Sequence, residues 1–147
     1  MKIKVAWVGK TKEPPIQTLT DEYLKRISRY AEIEGLSLRD EAALLKWAER
    51  SGTRPAHTLI LLDSRGKQLS SEEFAKFLEE QASHSSQPLL FAVGPADGFG
   101  EKTRAAAAFT LSLGRMTLAH ELARIVLLEQ LYRGFAILQG HPYHLGH

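Results

Sequence analysis

The chain of 147 residues contains no cysteine. That removes disulfide frameworks, thiolate nucleophiles and cysteine-based zinc sites in one step. It also fits a reducing, cytoplasmic setting. Long apolar runs are missing as well. None approaches the ~20 residues that a membrane-spanning helix needs, so no membrane association is expected. The opening segment, Met1 to Gly9, has a short apolar run but lacks the longer core and small-residue cleavage site of a signal peptide. Neither sign of charge is in large excess. Nineteen Lys and Arg stand against seventeen Asp and Glu, a formal +2, which permits RNA binding without diagnosing it. There is no internal repeat and no low-complexity linker.

What remains is an ordinary globular composition, 44% hydrophobic and 24% charged. A single domain spanning 1–147 is expected, long enough to bury a core without disulfides or metal. Short apolar runs alternate with amphipathic segments. Lys2–Val8, Ile33–Leu38, Thr58–Asp63, Pro88–Val93 and Phe109–Leu113 read as strands. Thr20–Tyr30, Asp40–Arg50, the segment from Ser70 to about Ser83, Glu101–Ala108 and Ala119–Leu138 read as helices. Asp40 is a plausible N-cap, and Ser70 with Glu73 forms a capping box. Ser64–Lys67 reads as a turn. The unbroken apolar run Thr58–Leu62 suits a strand buried on both faces of a parallel sheet. The alternation predicts an α/β fold with a mainly parallel sheet flanked by helices.

In such sheets ligands bind beyond the carboxyl ends of the strands. That places Leu62-Asp63-Ser64, Gly94-Pro-Ala-Asp-Gly98 and Leu113-Gly-Arg-Met-Thr-Leu118 at one rim. Gly94 and Gly114 allow close backbone approach. The glycine order is neither the dinucleotide fingerprint nor a P-loop. It suits a plain strand-to-helix turn as well as a ligand loop. Asp63 and Asp97 stand at strand ends, as catalytic carboxylates or as turn formers. The helix Ala119–Leu138 is apolar on more than one side, which fits either core burial or a partner surface in a homodimer.

The end of the chain concentrates polar rings: His141, Tyr143 and His144 surround Pro142, and His147 closes the chain. Chain ends are usually frayed and chemically dull, whereas these groups donate, accept and stack. His141, His144 and His147 recur every third residue. Pro142 and Gly146 argue against a regular helix that would align them, and no carboxylate lies nearby in sequence, so no metal is expected.

Together, Val8-Gly9-Lys10, Glu22-Tyr-Leu-Lys-Arg26, Leu62-Asp63 with Gly66-Lys67, Gly94–Gly98, Leu111–His120, Arg124–Arg133 and Gly140-His-Pro-Tyr-His144 resemble the RlmH (YbeA-like) family of SPOUT methyltransferases over essentially the whole length. The resemblance implies a SPOUT-type α/β fold with a C-terminal trefoil knot, a homodimer, and S-adenosylmethionine as cofactor. The implied reaction is methylation of N3 of a pseudouridine in the 23S rRNA of the bacterial large ribosomal subunit. Cofactor contacts would be Leu62, Gly94, Leu113, Gly114, Arg115, Met116, Thr117 and Leu118. His144, Tyr143, His141 and Arg133 would serve the chemistry, and Arg124 and His120 would meet RNA. Leu145 stands where the family tail carries a basic residue, with His147 as a partial substitute. A non-catalytic RNA- or ribosome-binding protein of the same fold is the alternative.

Overall fold

A computed structural model describes residues 1–95 and 97–146. Five strands form one parallel sheet in the order β2-β1-β4-β3-β5. In chain order the elements are β1 (Lys2–Val8), α1 (Pro14–Ile27), β2 (Glu32–Leu38), α2 (Glu41–Ala48), β3 (Thr58–Gln68), α3 (Ser71–His84), β4 (Leu89–Val93), α4 (Glu101–Ala106), β5 (Phe109–Ser112), α5 (His120–Leu138) and α6 (Tyr143–Gly146).

The sheet buries both faces. Ile3, Val5, Ile60, Phe91 and Val93 face a core closed by Ile27 of α1, Phe74 and Leu78 of α3, and Leu127, Leu128 and Leu131 of α5. Ala6, Leu59, Leu61, Leu90 and Ala92 face a smaller core closed by Leu44 of α2 and by Phe99. β4 is buried at all five positions, as expected of a strand that turns neither face toward water.

Local signals set several boundaries. Asp40 accepts from Ala43 N at 2.9 Å and starts α2. Ser70 and Glu73 make the reciprocal capping box at the start of α3. α5 stops in a Schellman motif, with Gly140 at φ +70°, Gly140 N donating to Ile137 O and His141 N donating to Ala136 O.

Many boundaries shift by one to three residues, and three segments depart further from the sequence expectation. α1 begins at Pro14 rather than Thr20, because proline lacks the donor that the first helical turn leaves unpaired. The tail is helical over Tyr143–Gly146, with Pro142 in the same permissive position, its carbonyl accepting from Leu145 N at 3.0 Å. Ser64–Lys67 is not a simple turn. β3 pairs Leu62 with Leu111, leaves the ladder over residues 63–66, and returns to pair Lys67 with the same Leu111.

The entry to α1 is held from far away. Its N-cap Glu13 makes no side-chain cap. Instead, the Glu121 carboxylate accepts from Lys12 N at 2.9 Å and Glu13 N at 3.2 Å. These bonds, Lys12 first, hold the Glu121 carboxyl below the ordinary glutamate range. A lowered folded-state pKa contributes stability above the unfolded value, about 4.3, and that contribution disappears as pH falls through the folded value. Urea denaturation of Glu121→Gln should therefore show its deficit at pH 7, with the two stability curves converging below about pH 4.

Candidate active site

The three segments predicted at one rim do close around a single cavity of about 480 Å³. Leu62, Gly94, Leu113, Gly114, Met116, Thr117 and Leu118 all line it; of the eight expected cofactor contacts, only Arg115 is outside the lining. His120, expected to meet RNA, is also a wall of this cavity. The first residue of α5 is thus within reach of whatever occupies the cavity.

Each loop is held by identifiable bonds. Gly114 has φ +139°, a conformation that glycine tolerates and side chains resist. The Ser112 hydroxyl accepts from Gly114 N at 3.1 Å and donates to Gly114 O at 2.8 Å, fixing the turn out of β5. Asp63 is a clamp. Its Oδ1 accepts from Arg65 N at 2.9 Å and Arg65 Nε at 3.3 Å, while Oδ2 lies 3.5 Å from Arg104 Nη2. With its side chain only 9% exposed, this carboxylate ties the β3 excursion to α4. Asp97 is another wall, on the exposed loop. Gly94 is explained differently from the sequence expectation. A Cβ there would lie 2.8 Å from Phe99 Cε2 and 2.9 Å from Cζ. The space beside Gly94 is filled by a phenyl ring, so a side chain there displaces Phe99 before it meets any ligand.

The tail forms a chain of polar contacts on α3 and α5. Tyr143 Oη donates to Glu129 Oε2 at 2.7 Å. Arg133 donates to both Glu129 oxygens, at 2.8 and 3.2 Å, and its Nη1 approaches His144 Nδ1 at 2.9 Å. His144 Nε2 lies 2.6 Å from Glu72 Oε1. Burial first, and the bond to Glu129 second, push the Tyr143 phenol well above its ordinary range, so it remains a donor. The Tyr143 ring packs edge-on against Tyr132, centroids 4.8 Å apart. His141 is exposed, and its Nδ1 accepts from Tyr143 N at 3.2 Å. His147 lies outside the described residues.

A model of the family described as predicted SPOUT methyltransferases matches residues 1–144. This chain belongs to that family. Among its relatives, the ribosomal RNA large subunit methyltransferase H of Koribacter versatilis is 58% identical over 147 residues, covering all of both chains. The protein of the same name from Geotalea daltonii is 48% identical, covering 98% of this chain and 99% of its own. In solved structures, a probable methylase family protein from Haemophilus influenzae superposes with a TM-score of 0.58, at 9% identity, over 96% of this chain and 69% of that one. That last likeness supports the fold alone.

In this SPOUT chain the expected site residues divide into two groups. The rim loops and His120 surround the cavity, while His141, Tyr143, His144 and Arg133 gather on the outer side of α5 and are absent from its lining. Arg124 joins neither group, and its expected contact with RNA is corrected by burial. It is 1% exposed, its guanidinium carbon sits 3.8 Å from the Trp7 ring centroid, and Nη1 donates to Thr11 and Thr20. It joins β1, α1 and α5 from inside. Glu72 leaves no local signal in the sequence. Glu129 does show there, as the favourable partner four residues before Arg133 on a helix, and the structure makes that pair.

Proposed function

We propose that this chain uses S-adenosylmethionine to methylate a base of large-subunit ribosomal RNA, the N3 position of a pseudouridine in 23S rRNA. The observation that carries this reading is the closure of three strand-end segments, distant in sequence, around one cavity in a chain of the SPOUT methyltransferase family. Its volume lies within the roughly 300–1,000 Å³ typical of small-molecule sites. When bound, S-adenosylmethionine supplies a methyl group on a positively charged sulfur. Leu62, Gly94 and the run 113–118 would hold it, with Met116 and Leu118 covering its apolar surface and the turn at Gly114 letting backbone groups approach. His120, on the cavity wall at the start of α5, would meet the RNA beside the cofactor.

The same reading includes a homodimer and a C-terminal trefoil knot. Met116, Leu118 and Leu122 are exposed at 85%, 39% and 53%, an apolar group on and beside the cavity wall. Within one chain the described tail residues do not line the cavity. A second copy covering that apolar group would bring its own tail to the cofactor. No helix among the described residues is long and apolar enough to cross a membrane, which is compatible with work on ribosomes inside the cell.

The test is methyl transfer from labelled S-adenosylmethionine to ribosomes from a strain lacking the modification, with free 23S rRNA in parallel. Label on one large-subunit pseudouridine is the expected result. Because the formal charge is only +2, few phosphates are neutralised, and intact ribosomes should be the better substrate. RNA binding without label on either substrate would sink the proposal in favour of a non-catalytic protein.

A further inference from the structure

The two nitrogens of His144 are not equivalent. A guanidinium only donates. Arg133 Nη1, 2.9 Å from Nδ1, therefore assigns Nδ1 as the acceptor. The ring hydrogen then sits on Nε2 and points at Glu72 Oε1, 2.6 Å away. Glu72 occupies the first turn of α3, where its own backbone N–H, and secondly the His144 ring, hold its carboxyl below the ordinary glutamate range. The carboxylate is thus ionised at neutral pH, next to a ring that gains charge if it takes a proton.

We infer that Glu72 is a positioning residue for the methyl transfer: it orients His144 through Nε2, so that Nδ1 is the atom that accepts the proton of the target base. This rests on the methyltransferase reading. In the step, the N–H bond of the base breaks and its proton bonds to Nδ1. The electron pair stays on the base nitrogen and takes the methyl, while the sulfonium becomes a neutral thioether. The imidazolium so formed is balanced by Glu72, and its proton passes to water.

Arg133 covers Nδ1 in the structure and has a second carboxylate, Glu129, to hold it when the base approaches. The groups bonded to the ring are therefore Glu72 from α3 and Arg133 from α5; Glu129 holds Arg133 and accepts from Tyr143, whose amide donates to His141. The arrangement follows the common pattern in which a base is oriented by a third group on its far nitrogen.

The test joins a structural readout to a kinetic one, on the full chain. Ring-nitrogen shifts of His144 in the 15N-histidine-labelled protein, measured at a pH where the ring is neutral, should show hydrogen on Nε2 and a bare Nδ1. The opposite tautomer overturns the inference. In single-turnover methylation of ribosomes, Glu72→Gln keeps an acceptor but loses the charge. It should lower the rate about tenfold while leaving cofactor affinity, measured by calorimetry, unchanged. The acid limb of its pH–rate profile should move to lower pH.

In a His144→Ala background the same substitution should cost nothing further, because Glu72 acts only through the ring. A wild-type rate in Glu72→Gln, or an equal loss with and without His144, overturns the role. If the wild-type protein transfers no methyl to any substrate, the methyltransferase reading fails and the proton-acceptor role fails with it. The tautomer result separates that outcome from an error in the geometry.

Discussion

Arg124→Ala should destabilise the protein by about 3–5 kcal/mol, because it removes a long buried side chain and leaves polar partners behind. For a chain of this size that is a fall in Tm on the order of 10 °C. The site cannot refill with water easily. Its walls are the Trp7 ring on one side and the Thr11 and Thr20 hydroxyls on the other, with Arg124 itself 1% exposed. Burial, acting first, pushes the guanidinium below its ordinary value, opposed by Glu121 one turn earlier.

Arg124→Met separates volume from charge. It keeps the apolar stem but loses the guanidinium stacked on Trp7 and its two hydroxyl bonds, so about 2–3 kcal/mol is expected. Urea denaturation of the two variants measures the difference. The RNA readout decides the role. If Arg124 gripped a phosphate, replacing it would lower the salt dependence of RNA binding by about one counterion. Buried under α5, Arg124 should change stability and leave that slope alone. A reduced slope in folded Arg124→Met would return this residue to the RNA face.

The rim is legible in the sequence and the burial of Arg124 is not, for one physical reason. Signals that act within a few residues are written in the local sequence. The apolar run Leu59–Leu62 requires burial, Ser70 and Glu73 cap each other, and α5 ends at Gly140, with Gly140 N donating to Ile137 O and His141 N to Ala136 O. The strand ends then fall at one rim by the rule for parallel sheets, which groups Leu62, Gly94 and Leu113 from sequence alone.

Contacts that depend on distant segments leave no such mark. Nothing near Arg124 announces Trp7 or Thr11, more than a hundred positions earlier. Glu121 caps a helix 108 positions away. Glu72 meets His144 across 72 positions, so the tail reads as poor in carboxylates although two stand against it in space. Gly94 is an intermediate case. Glycine there does mark a close approach, but the approaching group is Phe99, five residues on.

Gly66 is the glycine whose replacement should do most damage. A Cβ at this position would lie 2.7 Å from Thr110 C, Thr110 O and Leu111 C. Real Cβ contacts are not found at that distance, and the opposing atoms are backbone, which cannot rotate away as a side chain can. The crowding arises from the path of β3. After Leu62 the chain bulges outward over residues 63–66, carrying Asp63, Ser64 and Arg65 into the cavity wall, and it must return flat onto β5 for Lys67 to pair with Leu111.

Gly66→Ala therefore forces the returning arm off β5. A loss of about 2–3 kcal/mol is expected, near the upper end for overpacking, and Gly66→Val should cost more. The damage should not stop at stability. β5 leads through Ser112 directly into the turn at Gly114, so a displaced β5 moves Leu113–Leu118 relative to Leu62 and widens the cavity. S-adenosylmethionine affinity, measured by calorimetry below the unfolding transition, should fall at least tenfold, since a loss of ~1.4 kcal/mol in binding suffices. Gly146→Ala is the control: a Cβ there meets nothing within 4 Å, and stability and cofactor affinity should be unchanged. If Gly66→Ala unfolds within about 0.5 kcal/mol of the parent, a difference typical of neutral surface changes, the return of β3 onto β5 is wrong. The wall that Asp63, Ser64 and Arg65 form would be wrong with it.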